Sequence, residues 1–116
     1  MAATSSGSIS VVVSGDKTLQ ESFDFASNAA ADGGETTHVL SSGANTITVP
    51  TAFTVKGCII RPPSGNTQTI TLKGVTGDTG ISLHLTDPQL LRFGTAPASF
   101  VLTAGGTITG LRILWV

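Results

Sequence analysis

The residues that could do chemistry are few, and the most suggestive of them form the string Asp78-Thr79-Gly80. This triplet is the signature of aspartic proteases, in which two carboxylates share one proton and each stands where an apolar strand meets a loop. Here Val75 is the one apolar residue in the approach, and no downstream apolar-glycine segment supplies the companion motif. Gly77 and Gly80 flank Asp78, and glycine and aspartate are both common in turns. A turn between two strands is therefore the favoured interpretation.

The two histidines, His38 and His84, show no recognisable triad spacing, although a fold can assemble a triad from residues distant in sequence. His84 lies between Leu83 and Leu85, which is typical of a solvated or hydrogen-bonded histidine on the polar face of a strand. Two histidines and one cysteine fit no zinc spacing, and the aspartates are too scattered for a calcium loop. We therefore predict no catalytic residue, no cofactor and no metal, and a protein that is not an enzyme. A hydrolase remains the third hypothesis.

The single cysteine, Cys58, has no partner for an internal disulfide. Its neighbours Ile59 and Ile60 indicate a buried thiol that behaves as a small hydrophobe.

Composition narrows the classes of partner. Only 11% of the 116 residues are charged, the net charge is -1, and the six basic residues are spread along the chain. Several phosphates cannot be neutralised by so few scattered cations, so nucleic acid is not expected as a partner. No apolar run approaches the roughly 20 residues that span a bilayer, and the N-terminus lacks a signal peptide, so we expect no membrane association and synthesis in a cytoplasm.

The chain is organised around residues 66–87, which read as two strands joined by a glycine-rich turn. In the first half Ile70 and Leu72 alternate with threonines, and in the second half Ile81 and Leu83 alternate with polar residues. This period of two predicts a β-hairpin or a wider β-corner with one dry face.

The rest of the chain supplies short strands and loops. Residues 1–8 are small and polar and are predicted to form a flexible N-terminal arm. Residues 19–25 are interpreted as a strand, with a short helix as the rival, and residues 26–37 as a long surface loop. Near the C-terminus, Ile108 is out of phase with Leu111, and Gly110 between them indicates a β-bulge.

Two predicted strands, residues 53–61 and 111–116, are apolar on both faces. Together they carry more apolar surface than the core of one small sandwich must bury. This surplus predicts a homo-oligomer, most simply a trimer, or a protein that lies on a larger assembly. Trp115 is in phase with Leu111 and Ile113, so core or interface is favoured over a sugar-binding platform. The predicted interface residues are Ile9, Val11, Val13, Ile60, Leu114 and Val116.

About eight short strands, frequent turn signals and no convincing helix predict an all-β fold, an antiparallel β-sandwich or jelly roll. Residues 9–116 would form this single domain, and a closed barrel is the main alternative.

The segment 67–84, followed by Ser99-Phe100-Val101-Leu102-Thr103-Ala104 and the closing Gly110-Leu111-Arg112-Ile113-Leu114-Trp115-Val116, resembles small virion structural proteins of tailed bacteriophages. The resemblance covers about the C-terminal half of the chain and carries no catalytic or ligand motif. It implies a virion component, with a capsid decoration (cement) protein that stabilises the major capsid protein lattice as the leading expectation. The alternative is a tail-associated or fibre-associated β-module that recognises a host surface glycan.

Overall fold

The computed structural model describes residues 34–51 and 54–116 in full, together with the backbone of strands within residues 3–30. In these parts of the chain all regular structure is β. The strands are β1 Ala3–Thr4, β2 Gly7–Val13, β3 Leu19–Phe25, β4 Ala29–Ala30, β5 Glu35–Leu40, β6 Gly43–Thr48, β7 Gly57–Arg61, β8 Ile70–Lys73, β9 Ile81–Ser82, β10 Gln89–Arg92, β11 Ser99–Ala104 and β12 Ile108–Trp115.

Strands β5 to β12 form two four-stranded sheets. The first sheet has the order β10-β7-β12-β5 and the second sheet has the order β6-β11-β8-β9. Every pairing among the described strands is antiparallel. The predicted all-β, antiparallel class is therefore confirmed, and the arrangement is compatible with a β-sandwich.

The core is built from alternate residues of the central strands of both sheets. On β12, Leu111 and Ile113 are fully buried, and on β11 Leu102 is fully buried. The Trp115 ring packs at a tilt of 53° on that of Phe100 from the second sheet, with ring centroids 6.0 Å apart. The prediction that Trp115 belongs to a core or an interface is confirmed for the core, where it is 2% exposed.

The predicted bulge at Gly110 is confirmed. The register between β12 and β5 shifts between Thr109 and Leu111, and Gly110 has φ of +86°. The extra residue brings both Ile108 and Leu111 into the core although they are three apart, which strict alternation forbids. Positive φ suits glycine because it has no Cβ.

The predicted hairpin exists but is shorter than expected. Strand β9 has two residues, which pair with Thr71 and Leu72 of β8. The dry face expected of Ile81, Leu83 and Leu85 is only partly present: Leu83 packs against the core, but Ile81 is 65% exposed and Leu85 is 38% exposed. After the bond from Leu83 N–H to the Ile70 carbonyl, regular pairing ends, so the alternation of residues 84–87 has no neighbouring strand to organise it.

Two other predicted boundaries differ from the structure. The loop predicted over residues 26–37 contains β4 and the start of β5, and the remaining part of it is mostly outside the described residues. The strand predicted over residues 53–61 begins at Gly57, with Phe53 outside the described residues. A side chain at Gly57 would place its Cβ 2.3 Å from the Leu91 carbonyl oxygen, so close pairing with β10 requires glycine there.

The N-terminal strands pair only with one another in the described sheets, β1 with β4 and β2 with β3. Pairing of Val13 with Leu19 and of Gly7 with Phe25 confirms a strand, and not a helix, for residues 19–25. The expected boundary between residues 8 and 9 falls inside β2. The flexibility expected of residues 1–8 stays a prediction, and residues 1, 2, 5 and 6 lie outside the described residues.

Candidate interaction surfaces

The six residues predicted to form an interface occupy different environments. Ile9, Val11 and Val13 lie on β2, whose side chains are outside the described part of the structure. Ile60 and Val116 are buried by this chain itself, at 0% and 4% exposure, so neither presents its side chain to a partner.

The burial of Val116 has a specific cause. Its backbone exchanges hydrogen bonds with Gly57, and its carbonyl also accepts the Lys56 N–H, which holds the chain end against β7. Among the three predicted interface residues whose side chains the structure describes, Leu114 alone is well exposed, at 36%.

Leu114 belongs to an apolar row across the outer face of the first sheet. Its register partner on β7 is Ile59, and the partner of Ile59 on β10 is Leu90. Leu90 and Ile59 are half-buried. On the edge strand β5 the same face carries Val39, which is 62% exposed. We call this surface the outer face.

Two arginines lie beside the apolar row on the outer face. Arg61 of β7 and Arg112 of β12 are direct register partners, so their side chains leave the sheet next to each other. Arg112 forms an ion pair with Glu35, with 3.6 Å between Nη1 and Oε1. Apolar residues next to arginines are the combination that protein interfaces favour.

A groove of about 370 Å³ opens at the other side of the sandwich, between β8 and β9 of the second sheet and β10 of the first. Its apolar lining includes Leu72, Ile81, Leu91, Phe93 and Phe100. Lys73, Asp78 and Arg92 add charged groups at its rim. We call it the open groove.

Asp78 serves the turn that the sequence predicted. Its Oδ2 accepts a hydrogen bond from the Val75 N–H at 3.0 Å, and its own N–H donates to the Val75 carbonyl at 3.1 Å. The side chain is exposed. The carboxylate therefore holds the loop between β8 and β9 closed on itself, by bonding back to the N–H three residues earlier.

His84 also organises a turn. Its Nδ1 accepts hydrogen bonds from the N–H groups of Thr86 and Asp87, at 3.1 and 2.9 Å. The carboxylate of Asp87 lies 3.7 Å from the same nitrogen. The prediction of a hydrogen-bonded strand histidine is confirmed for the hydrogen bonds, although the residue has left the strand.

Cys58 is completely buried between the sheets, as predicted. Burial raises the pKa of its thiol to about 12. A thiol that stays protonated at neutral pH is a poor nucleophile and a poor metal ligand, so Cys58 acts as a small apolar residue.

One polar network was not found from the sequence. The Trp115 Nε1–H donates to Thr36 Oγ1 at 2.9 Å, and the same oxygen lies 2.8 Å from His38 Nε2. Burial lowers the pKa of His38 from its ordinary value of 6.5. Thr36 and His38 are two apart on β5 and so share a face, which was the available signal, but Trp115 is 79 positions from Thr36.

Within the fully described ranges 34–51 and 54–116, no three His, Cys, Asp or Glu residues come together as metal ligands do. The same ranges contain no helix with the length and apolar character needed to cross a membrane. Comparison of the chain with protein-family models, with curated proteins and with solved structures gave no match.

Proposed function

We propose that this chain is a structural protein of a bacteriophage virion, a capsid decoration or cement protein. It would assemble as a homotrimer and bind the major capsid protein lattice, which it stabilises. The observation that carries the proposal is the outer face of the first sheet, where a partly exposed apolar row lies beside two arginines. This surface supports a partner of protein character, and it lies on a four-stranded sheet.

The order of the strands supports a jelly roll as the finer description of the fold. Counted from β5, the first sheet takes the first, eighth, third and sixth strands, in the spatial order β5-β12-β7-β10. The second sheet takes the second, seventh, fourth and fifth strands. An eight-stranded double sheet of this kind is the architecture of many viral capsid and lectin domains, although a fold by itself does not assign a function.

The setting fits the composition. A chain with 11% charged residues and 40% hydrophobic residues leaves little charge to repel neighbouring copies in a lattice. Burial of the outer face against another subunit contributes a stabilising free energy that is present only in the assembled particle. Binding to the lattice therefore stabilises each copy, and each bound copy stabilises the lattice.

Sedimentation with capsids tests the proposal. Purified protein is mixed with capsids of the encoding virus that lack it, and the pelleted fraction is measured against protein concentration. We expect saturable binding with a fixed number of copies per capsid and a trimer mass for the free protein. Failure to sediment with these capsids at any salt concentration would overturn the proposal.

The open groove favours a second candidate, a tail-associated or fibre-associated module that binds a host glycan. Phe93 offers a partly exposed ring, and Lys73 and Asp78 offer hydrogen-bonding groups in the same groove. Specific retention of the protein on a glycan array, lost on replacing Phe93 with Ala and kept on replacing Leu114 with Asp, would select this candidate over the first.

A further inference from the structure

We propose that Arg61 and Arg112 together bind a single oxyanion, which is a carboxylate, sulfate or phosphate group. The inference rests on the geometry of these two residues and goes beyond the proposed function, on which it does not depend. No reaction is involved, since the site holds its ligand by charge and hydrogen bonds.

The two guanidinium groups are brought together by the sheet. Register partners on antiparallel strands have Cβ atoms about 5 Å apart, and like charges directly opposite each other are destabilising. Long arginine side chains can turn apart into solvent to reduce this repulsion. Their Cα positions, however, stay directly opposite each other in the sheet. An anion between them converts the repulsion into two attractions.

The chain itself neutralises the pair only in part. Glu35 contacts Arg112 across the strand pair, and both side chains are about half exposed, at 49% and 47%. The Arg61 side chain forms no hydrogen bond or ion pair with any residue in the described parts of the chain. Within those parts one carboxylate therefore accompanies two cations, and both arginines line the adjoining pocket.

That pocket has the size and lining of an oxyanion site. It encloses about 240 Å³ and is lined by Arg61, Pro62, Pro63, Ser64, Thr86, Pro88, Gly110 and Arg112. The volume is several times the ~30 Å³ share of a water molecule. Ser64 and Thr86 supply hydroxyl donors, and no acidic residue lines the space. The bulge places Gly110 there, where the absence of a side chain leaves the space open.

The chemistry of the ligand follows from the donors. Guanidinium groups present parallel N–H donors that match the paired oxygens of a carboxylate, sulfate or phosphate. Two arginines suffice for one such group, whereas a nucleic acid backbone requires many cations along its length. The pocket is therefore suited to an isolated acidic group, from a free anion or from an acidic side chain of another protein.

Titration with sodium sulfate, at ionic strength held constant with sodium chloride, tests the site by calorimetry and by NMR of the arginine Nε–H groups. We expect saturable binding that shifts both arginine signals. Arg61→Gln should weaken binding by about 10-fold to 100-fold, the size of a lost hydrogen bond to a charged group. Lys56→Gln removes one positive charge from an exposed residue just before the opposite end of β7 and should leave binding unchanged.

Two further variants separate geometry from charge. Arg61→Lys keeps the charge but loses the planar fork, so intermediate affinity is expected. Arg61→Glu creates an ion pair with Arg112 and should raise the melting temperature at low salt while abolishing sulfate binding. Equal sulfate affinity in the wild type and Arg61→Gln, or arginine signals that do not move, would overturn the proposal.

A comparison of acetate with a tetraglutamate peptide distinguishes the sources of the anion. Tighter binding of tetraglutamate than of acetate, lost in Arg61→Gln, supports the site with an acidic protein segment as its ligand. Equal affinity for both supports it with a free oxyanion. No binding of sulfate, acetate or tetraglutamate contradicts it. A site that binds sulfate in a protein that fails to bind capsids would overturn the proposed function and leave this inference standing.

Discussion

The two sides of the sandwich differ in how completely they close. Where β12 lies between β7 and β5, Cys58, Ile60 and Ile113 are wholly buried. Where β9 ends the second sheet, the open groove separates the sheets and Ile81 is 65% exposed. Both regions are rich in apolar residues, so composition alone does not decide burial.

The difference follows from strand length and pairing. The eight residues of β12 pair on both sides, which fixes the direction of every side chain. The two residues of β9 pair on one side only. A long, doubly paired strand turns an alternating sequence into a buried face, whereas a short edge strand leaves the same alternation exposed.

The largest expected effect comes from deleting a side chain on the closed side. Ile60→Ala should lower the free energy of unfolding by about 2–5 kcal/mol, because it removes buried methyl groups and leaves a cavity. Ile81→Ala on the open side should change it by less than about 0.5 kcal/mol. Urea denaturation of both variants measures the contrast, and equal losses would show that the two sides do not differ.

A backbone substitution on the open side should have the next largest effect. Gly80 has φ of +77°, and a Cβ there would lie 2.5 Å from the Leu72 carbonyl oxygen. Gly80→Ala is therefore expected to cost about 1–3 kcal/mol, the range for a strained backbone. Gly77 provides the matched control, because a Cβ at that position would have no atom within 4 Å. Equal melting temperatures for the two alanine variants would show that the turn does not need the glycine.

Loss of the polar network on the closed side is expected to have an effect of similar size. Thr36→Val removes the acceptor of the half-buried Trp115 indole N–H bond and should cost about 1–3 kcal/mol, the penalty for an unsatisfied donor. Thr36→Ser keeps the hydroxyl and should retain most of the stability. Thermal denaturation, monitored by tryptophan fluorescence, measures the melting temperatures of both variants. A valine variant as stable as the serine variant would argue against a stabilising role of the bond.

The smallest effect is a pH dependence at the same network. Because burial lowers the pKa of His38, the unfolded chain binds a proton more readily than the folded chain as pH falls below about 6.5. Stability from this residue is thus fully present above the unfolded pKa and decreases as pH falls toward the folded pKa. The melting temperature of the wild type should fall slightly more between pH 7 and 5 than that of His38→Asn. Parallel curves of melting temperature against pH would contradict this expectation.

Sequence patterns predicted the local features of the fold but not the contacts between distant strands. The bulge at Gly110 was predictable because Ile108 and Leu111 break the period of two within a few residues. The burial of Cys58 followed from its apolar neighbours. The exposure of Ile81 was not predictable, since it depends on β9 having no strand beyond it.

The arginine pair shows the same limit for the candidate site. Arg61 and Arg112 are 51 positions apart, and each alone looks like a solvated strand residue. Only the register of β7 with β12 makes them neighbours. The interface role of Leu114 stays a prediction, and the residue is exposed, whereas Ile60 is buried, because the sequence does not tell which of two apolar faces the second sheet covers.

Capsid binding by two matched variants tests most directly whether the outer face is the surface that a partner covers. Leu114→Asp places a charge in the apolar row, and Ile81→Asp places the same charge beside the open groove, each at an exposed position. We expect Leu114→Asp to lose sedimentation with undecorated capsids while Ile81→Asp sediments like the wild type, with circular dichroism confirming that both are folded. Full binding by Leu114→Asp would contradict the assignment of the outer face.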